Sequence, residues 1–135
     1  MKKRAVFDTN ILISAVLSPN SKPFQCTALA KREIIISIIC REILQEFEEK
    51  LIHKLRFEPE RVEKIIAEIL DYSELVMLGE IPKVIIADPD DDCIVETAIF
   101  GQANYIISGD KHLLNLKQYR EISILTAADF LASFT

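Results

Sequence analysis

Asp88, Asp90, Asp91 and Asp92 crowd the stretch ADPDDDCIVETA, residues 87–98, and an apolar helical pattern starts directly behind them. Two like unit charges 4 Å apart repel by about 1 kcal/mol in water and about 4 kcal/mol at an effective dielectric of 20. Placing such charges against a core is tolerable if a hard divalent cation joins them. Mg2+ or Mn2+ takes carboxylate oxygens, keeps several waters and bridges to phosphate oxygens. Asp8, after KRAVF, and Asp110, after NYIISG, are two more acids that end short apolar runs.

Residues 3–7, 33–37, 75–78, 104–108 and 122–125 read as strands, apolar along their length. Helical periodicity covers 24–31, 41–55, 60–72, 89–101, 111–114 and 127–134, with a buried helical turn over 11–17. Strands that are apolar throughout and alternate with helices predict an α/β fold. The expectation is a single three-layer domain over residues 1–135, with a parallel sheet of about five strands flanked by helices on both faces. Ligands of such sheets bind beyond the carboxyl ends of the strands, where the strand order reverses.

Asp8 directly follows the first strand and Asp110 follows the fourth after one glycine, so both belong at that carboxyl edge. Asp91 shares a helical face with Ile94, Val95 and Ala98, its i+3, i+4 and i+7 neighbours, and so points inward at the start of a core stripe. Asp92 is turned a quarter away. In the helix over 41–55, Glu42 and Glu49 face away from the stripe of Ile43, Leu44, Phe47 and Leu51. Glu46 and Glu48 lie on its two borders, and periodicity does not choose between them. Each acid taken singly has an ordinary explanation. Asp8 and Asp110 suit helix N-caps, Asp88 before Pro89 is a natural cap, and Asp90 and Asp92 suit the helix dipole. Together, at one edge of one sheet, they point to a cation.

A chain of 135 residues with half of them hydrophobic is long enough for one domain with its own core. The apolar runs are too short to span a bilayer, and MKKRAVFDTN lacks the apolar stretch of a signal peptide. Cys26, Cys40 and Cys93 are odd in number and form no CxxC pair, which predicts reduced core thiols in a cytoplasmic protein and excludes a zinc site. The net charge of −5 excludes binding nucleic acid by bulk charge alone. Positive charge for such a partner must be local, with Lys2, Lys3, Arg4, Arg41, Lys50, His53, Lys54, Arg56, Lys111 and Lys117 as candidates.

VFDTNILIS, REILQEFEEKL, DPDDDCIVETA and YIISGDKHLL occur in that order. In sequence and spacing they resemble the PIN-domain ribonucleases, above all the VapC-like toxins of type II toxin–antitoxin pairs, from Arg4 to the closing TAADFL. The resemblance implies a parallel sheet flanked by helices and an acidic cluster that binds Mg2+ or Mn2+. It carries the four catalytic and metal-binding acids onto Asp8, Glu46 (in preference to Glu48), Asp91 and Asp110. Thr9, Asn10 and Ser108 match supporting polar positions, and Asp92 stands beside Asp91 as a further support. It implies an endoribonuclease acting on single-stranded RNA, a homodimer, and a small antitoxin whose C-terminal segment enters the acidic site. Ile65 and Ile69 offer an apolar face for a second copy. Two other readings compete. One is a Mg2+-dependent phosphatase or phosphotransfer domain with Asp8 as nucleophile, against which stands Asn10 where the haloacid-dehalogenase-like phosphatases usually carry a second aspartate. The other is a non-catalytic metal-binding module.

Overall fold

A computed structural model describes residues 1–79 and 89–134, with the side chains of 89–92 outside the description. Strand β1 (Lys3–Phe7) leads into helices α1 (Thr9–Leu17) and α2 (Lys22–Lys31), then β2 (Ile35–Cys40). Helix α3 (Arg41–Glu49) passes into a wide π-type turn over Lys50–Lys54, followed by α4 (Pro59–Tyr72) and β3 (Ser73–Val76). Helix α5 (Pro89–Phe100), β4 (Tyr105–Ile107), α6 (Lys111–Leu116), β5 (Gln118–Tyr119), β6 (Ile122–Leu125) and α7 (Ala127–Ala132) complete the order.

Among the described residues the sheet has six strands in the order β3-β2-β1-β4-β6-β5. Every pairing is parallel except that of the two-residue β5 with β6. The expected α/β class and parallel sheet are therefore found. The added strand is the short β5, too brief to leave a periodic signal. β3 begins two residues before the expected Leu75, because α4 ends at Tyr72 and Ser73 pairs with Ser37 of β2. The Ser73 hydroxyl donates to the Ser37 hydroxyl at 2.9 Å and fixes that register.

The chain runs outward from β1 to β2 and β3, then returns past them to β4 and on to β6. Parallel crossovers are right-handed. The outward pair of crossovers thus puts α1 to α4 on one face, and the return puts α5 and α6 on the other. Helix α7 comes back to α2. The reversal falls between β1 and β4, which opens a crevice at their carboxyl ends. Val6, Phe7, Ile38, Ile106 and Ile107 fill the centre of the sheet, with Phe47 and Phe130 from the helices, all nearly inaccessible to solvent. Gly101 closes α5 onto β2: a Cβ there would collide with Ile38 and sit 3.0 Å from the Thr97 carbonyl. Among the described residues no helix is long and apolar enough to cross a membrane.

Candidate active site at the carboxyl edge

The register of β1 with β4 sets Phe7 beside Ile107, so the next residues of the two strands, Asp8 and Ser108, emerge together into the crevice. Asp8 N–H donates to the Ile107 carbonyl and Ser108 N–H to the Leu125 carbonyl, both at 3.0 Å, which holds both backbones at the sheet's end. Asp8 stands at the N-cap of α1, yet its side chain makes no capping bond. Its Oδ2 instead accepts from the Ser108 hydroxyl at 2.7 Å. The same hydroxyl oxygen accepts from Asp110 N–H at 2.9 Å. One serine thus joins the two acids. Asp110 does cap α6, its Oδ1 accepting from His112 N–H at 2.8 Å. The ordinary explanation therefore holds for one face of Asp110 and fails for Asp8.

Asp8 is 7% exposed, and Thr9 and Ser108 are buried. Burial pushes the Asp8 carboxyl above its usual range. The Ser108 hydroxyl and the Thr9 N–H oppose the rise, Asp110's negative charge adds to it, and Lys50 lowers it slightly. This is a carboxylate kept next to a second acid in a place that disfavours charge.

The opposite wall comes from α3. Of the two border glutamates, Glu46 is half-buried and Glu48 is exposed. Thr9, Glu42, Ile43, Glu46, Cys93 and Ile94 line a cleft of about 150 Å3. Lys50 Nζ lies 3.8 Å from Glu46 Oε2, one helical turn back, and donates to Asn10 Oδ1 at 3.2 Å. It stands at the switch from α-helical to π-helical winding, a local irregularity frequent at functional sites. Among the candidate cations of the sequence, Lys50 is the one spaced i+4 from Glu46.

Asp8, Thr9, Asn10, Glu46, Ser108 and Asp110 are thus brought to one edge of the sheet. Asp91 and Asp92 belong to the first turn of α5, the turn before Cys93 and Ile94 of the cleft, but their side chains lie outside the described residues, as does all of Asp88. Among the described residues no three His, Cys, Asp or Glu side chains converge tightly enough to enclose an ion. A larger cleft of about 460 Å3 opens at the other end of the sheet, lined by Lys2, Ile35, Tyr72 and Glu74 among others, and none of the candidate acids reaches it. Ile69 is in the core, and Ile65 faces a groove shared with Leu12, Phe24 and Tyr72.

Sequence reading missed one arrangement here. Cys40, the last residue of β2, and Cys93 of α5 are not isolated core thiols but neighbours, with sulfurs 3.8 Å apart. The Thr97 hydroxyl lies 3.1 Å from the Cys40 sulfur and donates to the Cys93 carbonyl at 2.7 Å. The contact with the Cys93 thiol lowers the Cys40 thiol to about 7 against the effect of burial, and the same contact raises Cys93. Both cysteines stand at the carboxyl edge, Cys40 as the end of an apolar run and Cys93 just behind the aspartates; that placement was the available signal.

Comparison with known proteins agrees with this fold. The chain is 31% identical over 121 residues to the uncharacterized protein MJ1680 of Methanocaldococcus jannaschii, covering 87% of this chain and 77% of that protein. Its fold is similar to that of a chain in the crystal structure of VapBC2 from Rickettsia felis bound to a DNA fragment from their promoter. There the TM-score is 0.63 at 14% identity, over 90% of this chain and 96% of the other. PIN domains are generally nucleases. The family model for the PIN domain matches residues 4–112, and the chain belongs to that family.

Proposed function

We propose that the protein is a metal-dependent endoribonuclease that hydrolyses phosphodiester bonds in single-stranded RNA and serves as the toxin of a toxin–antitoxin pair. The observation that carries this reading is the state of Asp8. It is buried beside the charge of Asp110, is fixed by Ser108, and is not used as a helix cap. A carboxylate so placed costs stability unless positive charge joins it, and the oxygen-only donor set fits a hard divalent cation.

Asp8, Asp91, Asp110 and Glu46 are the residues that would hold Mg2+ or Mn2+. When bound, such an ion lowers the pKa of a coordinated water and offsets charge on the phosphate oxygens. The chain's own polar groups do the positioning. Ser108 orients Asp8 and, through its contact with the Asp110 N–H, ties the two acids to one geometry. Asn10 holds Lys50 at the edge of the cleft, and Thr9 lines its floor. Asp92, next to Asp91 in the sequence, is included as a further support. Exposed Arg41, Lys54 and Lys111 supply local positive charge for the RNA backbone around an acidic centre.

The acidic balance of the chain suits a small antitoxin with a basic segment. The likeness of fold to a chain of the VapBC2 complex supports the same kind of partner. The protein is further proposed to work as a homodimer in the cytoplasm, with Ile65 and its neighbours on α4 contributing to the dimer face.

The test is cleavage of single-stranded RNA by the purified chain with Mn2+, with Mg2+ and with chelator, beside Asp8→Asn. Cleavage that needs the ion and vanishes in the variant is expected. Wild-type rates in Asp8→Asn, or in chelator, would overturn the assignment.

A further inference from the structure

The proposed nuclease reading assigns no role to the neighbouring thiols of Cys40 and Cys93. The two sulfurs lie 3.8 Å apart, already near contact, while a disulfide needs about 2.05 Å. The remaining gap of roughly 1.8 Å is within reach of a side-chain rotation at Cys93 and a small shift of the helix turn that carries it. Access is asymmetric. Cys40 is fully buried at the end of β2, whereas Cys93 is half-buried and lines the cleft beside Glu46 and Thr9. An oxidant entering the cleft meets Cys93 first, with Cys40 directly behind it.

We propose that Cys40 and Cys93 form a reversible disulfide, made by a hydroperoxide and undone by a dithiol, that ties the first turn of α5 to the carboxyl end of β2. The chemistry balances with the peroxide as the only co-reactant. The Cys93 sulfur, the one the cleft exposes, attacks one peroxide oxygen, the O–O bond breaks, the thiol proton leaves with the departing hydroxide as water, and Cys93 becomes a sulfenic acid. The Cys40 sulfur then attacks the Cys93 sulfur, the S–O bond breaks, and the departing hydroxide takes up a proton as water. In sum, two thiols and one hydrogen peroxide give one disulfide and two waters.

The bond would act on the site through the backbone. Cys40 is the residue from which α3, with Glu46, sets out, and Cys93 is two residues from Asp91. Drawing the sulfurs together moves the first turn of α5 relative to α3. A displacement near 1 Å at a reacting centre reduces rate roughly a hundredfold. This consequence for activity rests on the nuclease reading; the disulfide does not.

The experiment treats the reduced full chain with stoichiometric hydrogen peroxide, alkylates it, and maps it by intact mass and tryptic peptides. The expected product is monomeric, lighter by two hydrogens, with the peptide 33–41 joined to 84–111, and restored by dithiothreitol. Cys26 is the internal control: buried, its thiol 3.6 Å from the Ala127 carbonyl, it stays alkylatable after unfolding. Cys93→Ser should give no linked peptides. No linkage, a linkage through Cys26 or between chains, or Cys93 carried to sulfinic acid with Cys40 still free would overturn the proposal. In parallel, RNA cleavage by the oxidised chain should fall roughly a hundredfold and recover with dithiothreitol, while peroxide leaves the rate of Cys93→Ser where it was. If the linkage forms and neither state cuts RNA, the nuclease reading fails and the disulfide stands. If reduced chain cuts RNA and no linkage forms, the reverse holds.

Discussion

Arg4 and Asp8 belong to the two ends of the same strand, and their surroundings are opposite in kind. Arg4 donates from both terminal guanidinium nitrogens to Glu74, at 2.8 and 3.1 Å, and from its Nε to the Gly101 carbonyl at 2.9 Å. The charge at that end is answered by an opposite charge, and the Arg4 guanidinium holds the Glu74 carboxyl below its usual range. At the other end Asp8 is deeper in the protein, and burial first, with the charge of Asp110 behind it, pushes its carboxyl up instead. One end of β1 is arranged to stabilise the fold. The other holds a carboxylate whose charged form is disfavoured, first by burial and then by Asp110, with Lys50 offsetting only part of that; on the metal-dependent reading proposed above, a bound cation would relieve the rest.

The largest effect should come from Asp8→Asn. Loss of an outer partner of a metal site costs about 10–100-fold, and loss of Asp8 itself should exceed that in RNA cleavage. The metal-free variant should at the same time melt higher than wild type at pH 7, by roughly 2–4 °C. The sign follows from the raised carboxyl. Its contribution to stability is full below its unfolded value near 3.8 and is lost as pH rises through the folded value. The melting gap between variant and wild type should therefore open as pH rises from 4 toward 7. A variant less stable than wild type at pH 7 would mean that the end of β1 is not under charge strain.

Ser108→Ala tests whether the two acids depend on their shared hydroxyl. Removing it deprives buried Asp8 of a 2.7 Å donor and Asp110 N–H of its acceptor. The expected loss is about 1–3 kcal/mol of stability and about 10–100-fold in activity. Wild-type activity with intact stability would remove Ser108 from the site. Lys50→Met should act less and in a divided way. Without its cation the metal-free cluster loses about 0.5–1 kcal/mol, while Mn2+ should bind severalfold tighter because a competing charge is gone. Calorimetry reads the second effect, and unchanged or weaker binding would show that Lys50 does not face the cluster.

The same contrast explains what was legible in the sequence. Parallel order, and the arrival of Asp8 and Asp110 at one sheet edge, follow from where apolar runs end, because a strand's last residue fixes its position in the layer. That Asp8 would abandon its cap was not legible, since the donor that draws it away is 100 residues distant. Nor was the π-type turn at Lys50–Lys54, because the apolar stripe through Phe47 and Leu51 continues without a break and both residues are buried. β5 was missed for a different reason. It is two residues long, and the left-handed backbone of Lys117 and Arg120 on either side of it, at φ 59° and 54°, has no glycine to announce it. The Cys40–Cys93 contact needs both the β2 register and the placement of α5, which is tertiary information.

Glu74→Gln is the smallest expected effect and sharpens the comparison from its neutral side. The pair is partly exposed, with the Glu74 side chain 50% accessible, so solvent screens it and its loss should cost only about 0.2–1 kcal/mol. The pH dependence must run opposite to that at Asp8. A carboxyl lowered by its partner contributes stability above its unfolded value, near 4.5, and loses it as pH falls through the folded value. The gap between wild type and Glu74→Gln should therefore be present at pH 7 and close on acidification, whereas the gap for Asp8→Asn opens with rising pH. Metal affinity should be unchanged in Glu74→Gln, since the pair involves the second residue of β1 while the acids gather beyond its last. Two melting series from pH 3 to pH 7, one per variant, decide the matter. Parallel slopes would mean that both ends of β1 serve the fold alike and that the carboxyl edge holds no special charge.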